Sequence, residues 1–469
     1  MKKIPKYSLY CFPIFVWAIA YFCFSFDGLY GQDAYEYLRY TKMLKLFFET
    51  GQLPGDYFWG VYYPIFGSLL SFIVPNPIVA LQLISTLSLS ITALYIHKTI
   101  QLLYHSEKNA FIYTVLFFVL SPVVFKMGLL VMSDMLSTAL TLLSCYHFLK
   151  YYKLENRKNI YFAVIFGVVA VLTRYACVVL VFPFAIYSLF IITKRKQFSH
   201  FFSLLFISVI LALPHFFIKS QNPTAFLNHT WLQEWSAMNF FKHSFDTPDG
   251  IENYSLPNIL YAFSSVFHPR YLFPGIVFLL FFIVKKPRVQ YTFLFLIAYS
   301  LYGLFLAGIP FQNSRFLLIA FPFLIVLFYP CFILILETGI IKKNKMSLLI
   351  LVAIVQLSLC IYSLKTVFAL NLFEKQIAIE LKPYQNNTLY SFDVDIALKG
   401  RGIKFDYKNL WVKKYDSFQK NALVLFHPTK FKEQWKDKNP MLNWETLLTE
   451  SKLKKIKNLP EGWVLYQIQ

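Results

Sequence analysis

Charged residues are scarce in this chain. They make up 15% of its 469 residues, whereas 57% are hydrophobic. A soluble protein of this composition would have to bury more apolar surface than one or two cores can hold. Apolar stretches of about 17 or more residues recur along most of the sequence, and that length is typical of transmembrane helices. The composition therefore predicts a polytopic α-helical membrane protein.

Cysteine and glycine are also few. All six cysteines fall in apolar stretches, so we expect them to be packing residues rather than a disulfide framework or a metal cluster. The chain has 16 glycines, which is few for a transporter, because transporter helices are commonly broken by glycine or proline near mid-membrane. The sequence predicts no bound metal and no cofactor.

Acidic residues are outnumbered, with 24 Asp and Glu against 45 Lys and Arg. This excess does not indicate a nucleic-acid partner, because the basic residues cluster in short loops at alternate ends of the apolar stretches. Examples are Lys194–Lys196 and Lys342–Lys345. Such clusters mark the cytoplasmic side of a membrane protein. With Lys2, Lys3 and Lys6 before the first apolar stretch, the pattern predicts a cytoplasmic N-terminus in the plasma (inner) membrane.

The apolar stretches and the basic loops together predict about eleven transmembrane helices. Their approximate ranges are 8–26, 78–103, 110–125, 133–151, 160–172, 177–192, 201–218, 271–284, 291–307, 316–336 and 347–362. An odd number of crossings places the C-terminal part outside the cytoplasm. We therefore expect a transmembrane domain over residues 1–364 and an extracytoplasmic domain over residues 365–469.

The composition of the C-terminal part differs from that of the rest, with frequent lysine and short apolar runs. Residues 388–392, 422–426 and 463–466 have the β-branched and aromatic content of strands. Helices are expected over 376–381, 431–435 and 443–453. These elements predict a small α/β domain.

One polar stretch, Gly31–Tyr40, directly follows the first apolar stretch. At helical spacing Asp33, Glu36 and Tyr37 share one face, as expected for an amphipathic helix on the membrane surface. Two interpretations are open. Asp-x-x-Glu is a capping box, in which both side chains bind backbone N–H groups; alternatively, the carboxylates face a substrate. A second surface helix is expected from Tyr62 and Tyr63 onward, because the apolar run there is too short to span.

Further polar residues lie at the predicted outer ends of the transmembrane helices. They are Asp134, Arg174, Arg270 and Arg315. Each arginine alone could be an anchor for lipid headgroups, and Asp134 could be a helix N-cap. Their common location on the face that the positive-inside pattern leaves poor in basic residues indicates a site.

In order, spacing and sidedness, these motifs resemble the integral-membrane C-type glycosyltransferases that use lipid-linked sugars. The motifs are the Asp33 loop, Tyr-Tyr-Pro-Ile-Phe-Gly-Ser-Leu-Leu from Tyr62, Ser-Asp-Met-Leu at Asp134, Leu-Thr-Arg-Tyr at Arg174 and Ser-Arg-Phe-Leu-Leu at Arg315. The nearest groups are the protein O-mannosyltransferases and the enzyme that adds aminoarabinose to lipid A. The resemblance covers roughly residues 8–365.

The resemblance implies an inverting transfer from a polyprenyl-phosphate sugar donor to a hydroxyl of a lipid, glycan or protein at the outer membrane face. Asp33 matches the catalytic acidic residue of the family. Where the aminoarabinose enzyme has a lysine, this chain has Tyr62-Tyr63-Pro64, so the donor phosphate would bind arginines elsewhere. The residue types favour Arg315, then Arg270, then Arg174, because the guanidinium fork binds phosphate with two hydrogen bonds.

Glu36, Asp134 and the tyrosines 37, 62 and 63 complete the expected substrate site, although each tyrosine could equally belong to an interfacial aromatic belt. Two alternatives to the transferase stay open. One is a polytopic transporter or flippase for a lipid-linked glycan, and the other is a ligase or polymerase of surface polysaccharide. A membrane scaffold would give the carboxylates no role.

Overall fold

The computed structural model describes residues 8–105, 109–221, 233–247, 250–286 and 289–469. The predicted cytoplasmic residues Lys2, Lys3 and Lys6 lie outside these ranges. The chain forms two compact units. The first comprises Met1–Gly28, Tyr40–Phe241 and Pro257–Lys365. The second comprises Leu29–Arg39, Lys242–Leu256 and Thr366–Gln469.

The first unit consists of α-helices, and parts of two of them, α2 and α16, belong to the second unit. The helices are α1 (Phe12–Phe24), α2 (Gly31–Thr50), α3 (Tyr62–Leu70), α4 (Pro77–Tyr104), α5 (Ala110–Thr114), α6 (Pro122–Leu129), α7 (Asp134–Leu154), α8 (Arg157–Thr173), α9 (Cys177–Lys194), α10 (Phe198–Lys219), α11 (Asn258–Ala262), α12 (Gly275–Lys285), α13 (Thr292–Ala307), α14 (Phe321–Glu337), α15 (Gly339–Lys343) and α16 (Lys345–Leu381).

The lengths and hydropathy of these helices identify a multi-pass membrane protein. Among the described residues, α4, α9, α10 and α16 are each long and apolar enough to cross a membrane, and the α5–α6 pair can form a fifth crossing. Four shorter apolar helices, α1, α12, α13 and α14, lie in the predicted stretches 8–26, 271–284, 291–307 and 316–336. Helices α7 and α8 lie in the remaining two predicted stretches, 133–151 and 160–172. Each of the eleven predicted stretches thus contains helix, while the number of crossings stays a prediction.

The third predicted helix is not straight, which corrects the prediction of a continuous helix over 110–125. Helix α5 continues as a π-helix over Val115–Val119, and α6 then runs at 72° to it. Pro122 lies at the start of α6. Proline has no N–H to continue the helical ladder, and π-turns further loosen it, so the bend falls at this point.

Helix α7 lies where a transmembrane helix was predicted, but it is too polar to be stable if it were surrounded only by lipid. Ser137, Thr138, Thr141 and Ser144 are all buried in it. Ser137 and Thr138 donate to the carbonyl of Asp134 over 2.8 and 2.7 Å, and Ser144 donates to that of Ala163 in α8 over 2.7 Å. Helix α7 packs against α4, α8 and α9, so these three hydroxyls are satisfied inside the bundle, as a low-dielectric environment requires.

The second unit contains a mixed five-stranded sheet. Its elements, with a separate hairpin, are β1 (Ser244–Thr247), β2 (Gly250–Asn253), β3 (Thr388–Ser391), α17 (Asp395–Gly400), β4 (Asp406–Asn409), β5 (Leu423–Phe426), α18 (Asn439–Glu450), β6 (Leu453–Asn458) and β7 (Val464–Ile468). The strand order is β4-β3-β5-β7-β6. Strand β3 is parallel to β4 and β5, whereas β7 is antiparallel to β5 and β6.

The three predicted strands correspond to β3, β5 and β7, which are the central strands. Strands β4 and β6 are edges rich in Lys and Asp, so they lack the apolar pattern that identifies a strand in the sequence. The helix predicted over 431–435 is wrong: the segment forms turns, and Phe431 and Trp435 enter the core of the unit. Helix α18 starts earlier than predicted, with Pro440 in its first turn.

The alternating basic loops generate a prediction about sidedness. In a cysteine-free background, a single cysteine at Asp416 should react with an impermeant thiol reagent in intact cells, and one at Asn344 should react only after permeabilisation. Both positions are exposed in the structure, so burial does not account for a difference between them. Labelling of the Asn344 variant in sealed cells, or protection of the Asp416 variant, would contradict the predicted orientation.

Candidate functional site

Three tyrosine hydroxyls hold the segment that carries Arg315. Tyr261 donates to the carbonyl of Asn313 over 2.5 Å, Tyr271 donates to that of Ser314, and Tyr302 donates to that of Phe316 over 2.8 Å. The Asn313 side chain also accepts from the backbone N–H of Arg315 over 3.1 Å. Because these bonds fix successive carbonyls of one short turn, the backbone at Arg315 has a single defined course.

A buried ion pair lies beside this segment. Arg174, at the end of α8, donates from Nη1 to Oδ1 of Asp134 over 2.5 Å. The Asp134 side chain is 1% exposed and that of Arg174 is 18% exposed. Oδ2 of Asp134 has no hydrogen-bond partner within the described part of the chain. Asp134 is the first residue of α7 and its side chain does not cap that helix, so its role as an ion-pair partner replaces the N-cap interpretation.

Phe316 connects this ion pair to Arg315. The Cζ atom of Arg174 lies 5.5 Å from the centre of the Phe316 ring, and that of Arg315 lies 5.6 Å from it. Arg315 also contacts Sδ of Met132 over 3.6 Å. Two guanidinium groups therefore share one aromatic ring, an arrangement in which each cation is attracted to the ring while the two repel each other.

Arg270 lies on the neighbouring segment and faces solvent. Its carbonyl accepts from the backbone N–H of Val123 over 3.0 Å and from the Ser121 hydroxyl over 3.2 Å, which ties it to the first turn of α6. Lys126 follows Val123 by three residues, on the same face of α6. Arg270 repels the Lys126 ammonium. Neither side chain forms an ion pair with any described residue.

His268 does not add to this positive charge. Its Nδ1 accepts from the backbone N–H of Arg270 over 3.1 Å. Burial, and secondarily the Arg270 charge, lower the pKa of His268 below its ordinary value. The imidazole is therefore neutral at pH 7, and the nearby cations are Arg270 and Lys126.

These contacts define a cationic cluster made of Lys126, Arg174, Arg270 and Arg315. Asp134 pairs with Arg174, whereas Lys126 and Arg270 form no ion pair with a described residue. The charges of Lys126 and Arg270 raise the concentration of anions nearby. Guanidinium and ammonium groups bind phosphate oxygens in charge-assisted hydrogen bonds. The cluster can therefore bind a phosphate.

The predicted carboxylates Asp33 and Glu36 lie on α2, in the part that belongs to the second unit. Helix α2 begins at Gly31, two residues before Asp33. Both oxygens of Glu36 accept from the Arg39 guanidinium, with Nε at 2.6 Å from Oε2. The capping-box interpretation is therefore wrong, because Asp33 lies inside the helix and Glu36 binds a side chain three residues ahead. Asp33 itself is half-buried.

The predicted tyrosines are buried. Tyr62 donates to the carbonyl of Leu211 in α10 over 2.6 Å, and Tyr63 donates to that of Leu81 in α4 over 3.0 Å. Tyr63 is 0% exposed and Tyr37 is 4% exposed. The contacts of Tyr62 and Tyr63 with neighbouring helices give these two residues a packing role.

Lys126 of the cluster, and Phe316 beside it, were not identified from the sequence. A lysine just beyond an apolar stretch normally reads as a residue that extends to the membrane surface. Its isolation in the stretch 109–133, which otherwise contains no Lys or Arg, was the available signal. Phe316 carries no such signal among 52 phenylalanines. Within the described ranges, no group of three or more His, Cys, Asp or Glu side chains is placed to hold a metal ion.

The ion pair generates a prediction about stability. Asp134→Asn removes the charge that compensates Arg174 in a buried position, so it should lower the free energy of unfolding by about 3 kcal/mol. Thermal unfolding of the purified protein in detergent measures the change. Glu155→Gln is the matched control, because Glu155 pairs with Arg195 over 2.6 Å while its side chain is 68% exposed. The control should cost at most about 1 kcal/mol, and equal losses would contradict the structural role of Asp134.

Both the sequence and the fold are similar to those of known proteins. Residues 62–218 match the family described as Dolichyl-phosphate-mannose-protein mannosyltransferase. The fold is similar to that of ArnT from Cupriavidus metallidurans. The crystal structure of ArnT bound to undecaprenyl phosphate gives a TM-score of 0.61, and the apo structure gives 0.60. Each comparison covers 98% of both chains at 12% sequence identity.

No curated protein matches the sequence. At 12% identity the likeness to ArnT is one of fold. It extends over the whole chain, including the C-terminal part that the family match does not reach. The family match over residues 62–218 and the shared fold support the resemblance described from the sequence to the integral-membrane C-type glycosyltransferases.

Proposed function

We propose that the chain transfers a sugar, with inversion, from a polyprenyl-phosphate donor to a hydroxyl group of a lipid, glycan or protein acceptor at the outer face of the plasma membrane. The observation that carries the proposal is the cationic cluster, in which Arg270 and Lys126 form no ion pair with a described residue. The undecaprenyl phosphate bound to ArnT supports a lipid phosphate as the anion.

Arg270 and Lys126 are the primary phosphate ligands in this proposal, with Arg315 beside them. The sequence alone favoured Arg315 first, but the charge distribution reverses that order. Arg174 is neutralised by Asp134, and Arg315 is engaged with the Phe316 ring and Met132. Arg270 is exposed, so a phosphate can reach it without displacing another side chain.

The chemistry requires positive charge at the leaving group and a base at the acceptor. As the acceptor oxygen attacks the anomeric carbon, the bond from that carbon to the phosphate oxygen breaks, and the polyprenyl phosphate leaves as an anion. A phosphate leaving group needs no proton, so cations that stabilise its charge suffice. The acceptor hydroxyl loses its proton to a base, which must lie within hydrogen-bond reach.

Asp33 is the proposed base. Glu36 is the neighbouring alternative, but both of its oxygens already accept hydrogen bonds from Arg39, so an acceptor hydroxyl would have to compete with that guanidinium. Asp33 lies in the first turn of α2 and is half-buried. Tyr37 lies one turn after Asp33 on the same face but is 4% exposed, so we assign it no direct contact with the sugar.

The two regions of the chain have different parts in this proposal. Residues 1–364 form the transferase domain in the membrane, with the cationic cluster at the outer ends of its helices. Residues 365–469 form the extracytoplasmic domain. Its many lysines suit an anionic glycan or membrane surface.

The phosphate site generates a prediction about lipid binding. Arg270→Ala and Lys126→Ala should each weaken binding of undecaprenyl phosphate by roughly 10- to 100-fold, because a hydrogen bond to a charged group contributes about 1.5–3 kcal/mol. Arg270→Lys should recover part of the loss, since it restores the charge without the fork. Titration of the delipidated protein measures binding, and mass spectrometry of lipids that co-purify identifies the native donor.

The control is Arg157→Ala, an exposed arginine at the start of α8, where the sequence pattern predicts the cytoplasmic side. It should bind undecaprenyl phosphate as the parent does. Parental affinity in both Arg270→Ala and Lys126→Ala would refute the phosphate site, and equal weakening in Arg157→Ala would point to nonspecific electrostatics.

A second prediction concerns the base. Asp33→Asn keeps the size and polarity of the side chain but cannot accept the proton, so transfer should fall by at least about 10²-fold. The assay follows isotope-labelled mannose or aminoarabinose from undecaprenyl phosphate to extracted cell envelopes. Glu36→Gln should cost less than about tenfold, because Arg39 already engages that carboxylate. Full activity of a donor-bound Asp33→Asn protein would exclude Asp33 as the base.

A further inference from the structure

Residues of the C-terminal part form hydrogen bonds and close contacts with the first turns of α2. Tyr35 donates its hydroxyl to Oε2 of Glu374 in a very short hydrogen bond. Nη2 of Arg401 lies 3.5 Å from the same carboxylate oxygen, and its Cζ lies 5.6 Å from the centre of the Tyr35 ring. Tyr35 and Glu374 are 2% and 6% exposed, so this three-residue arrangement is almost entirely removed from water.

Two further contacts fix the same place. The Asn371 side chain donates to the carbonyl of Leu29 over 2.9 Å, just before α2 begins, and Asn371 is 2% exposed. Gly400 lies so close to the Tyr35 ring that a Cβ there would be 2.2 Å from Cδ1. Asn371 and Glu374 are three residues apart on α16 and so share a face. We call Asn371, Glu374, Gly400 and Arg401 the α2 clamp.

The clamp holds the side of α2 that faces away from Asp33. A helix turns about 100° per residue, so Tyr35 points about 200° away from Asp33. The clamp therefore does not occupy the face on which Asp33, Glu36 and Tyr37 lie. All of these residues belong to the second unit, so the clamp and the helix turns that it grips form one compact body.

Packing alone does not fix α2 on this side. A cavity of about 100 Å³ lies there, lined by Gly31, Gln32 and Tyr35 of α2 and by Phe373, Glu374 and Ala397, among others. Side chains next to a void lose part of their dispersion contacts. Although Ala34 and Leu38 of α2 are buried, the directional polar contacts of Tyr35 and Glu374 add a constraint on the rotation of α2 at the side where the cavity lies.

We infer that Glu374, Arg401 and Asn371 are positioning residues, which set the rotation of α2 and thereby the location of the Asp33 carboxylate. The inference rests on the proposed role of Asp33 as the base. A helix with its side chains has a radius of about 5–6 Å, so a rotation of roughly 10° moves a side-chain tip by about 1 Å. A displacement of that size can lower a rate by about 10²-fold.

Tyr35→Phe and Glu374→Gln test the clamp. Each removes a polar contact while keeping the size of the side chain. Each should lower kcat by about 10- to 100-fold and change KM for the donor by less than about threefold, because the phosphate ligands are untouched. Rates are measured with the labelled undecaprenyl-phosphate mannose or aminoarabinose and expressed per donor-bound protein, so a loss of folded material does not alter kcat.

Glu380→Gln is the matched control. Glu380 lies on α16, six residues after Glu374, and its carboxylate pairs with Lys457 at the surface. The substitution makes the same chemical change on the same helix without touching α2, and kcat should stay at the parental value. A fall in Glu380→Gln equal to that in Glu374→Gln would overturn the inference, because it would show a general effect of charge on the domain.

Combining Tyr35→Phe with Asp33→Asn tests whether the clamp acts on the rate through Asp33 or independently of it. If the clamp acts through Asp33, then Tyr35→Phe should lower kcat no further in that background. An independent, multiplicative loss there would overturn the inference. Parental kcat in both Tyr35→Phe and Glu374→Gln, with Asp33→Asn inactive, would also overturn it and leave the proposed function intact. Full activity of Asp33→Asn would instead refute the proposed base.

Discussion

The ion pair between Asp134 and Arg174 is the interaction on which the cationic cluster depends. It joins the start of α7 to the end of α8, and the Phe316 ring extends this connection to the segment of Arg315. A buried ion pair adds little net stability, because desolvation offsets the attraction, but removing one partner is costly. The pair therefore fixes the position of the start of α7 relative to the end of α8 more than it adds to stability. Because Arg174 is paired, the basic side chains of the cluster that form no ion pair with a described residue are Lys126 and Arg270.

The sequence predicted the positions of the membrane helices well, because an apolar stretch of sufficient length has few other stable states in a membrane. It predicted less about their shape. The 72° bend between α5 and α6 depends on how the chain packs around Ser121 and Pro122. The polar helix α7 places three of its hydroxyls against carbonyls of its own first turn and, at Ser144, of α8, and these partners are not evident from the sequence. The edge strands β4 and β6 were missed because their charged residues prevent further pairing and hide the strand pattern.

For the site, the sequence identified residue types and sidedness but not pairings. Asp134 and Arg174 are 40 positions apart, and nothing in their spacing distinguishes a pair from two independent anchors. The bond between Glu36 and Arg39 was accessible from the sequence, since residues three apart on a helix are neighbours. The capping-box pattern obscured it. Tyr62 and Tyr63 were assigned to sugar binding because an aromatic residue at a membrane surface has the same sequence signature whether it faces a substrate or a neighbouring helix.

The proposed chemistry requires two sets of groups to be held in place: the cations that bind the phosphate and the carboxylate that acts as the base. A transfer whose leaving group is already an anion needs no acid, so its rate depends on fixed positive charge and on the location of one base. Fixed charge comes from a segment whose carbonyls are bound by Tyr261, Tyr271 and Tyr302. The location of the base comes from the α2 clamp, where directional bonds act beside a cavity. The hydrophobic effect is non-directional, so hydrogen bonds constrain the rotation of α2 more specifically than apolar burial does. Buried polar contacts, which contribute little to stability, supply that constraint.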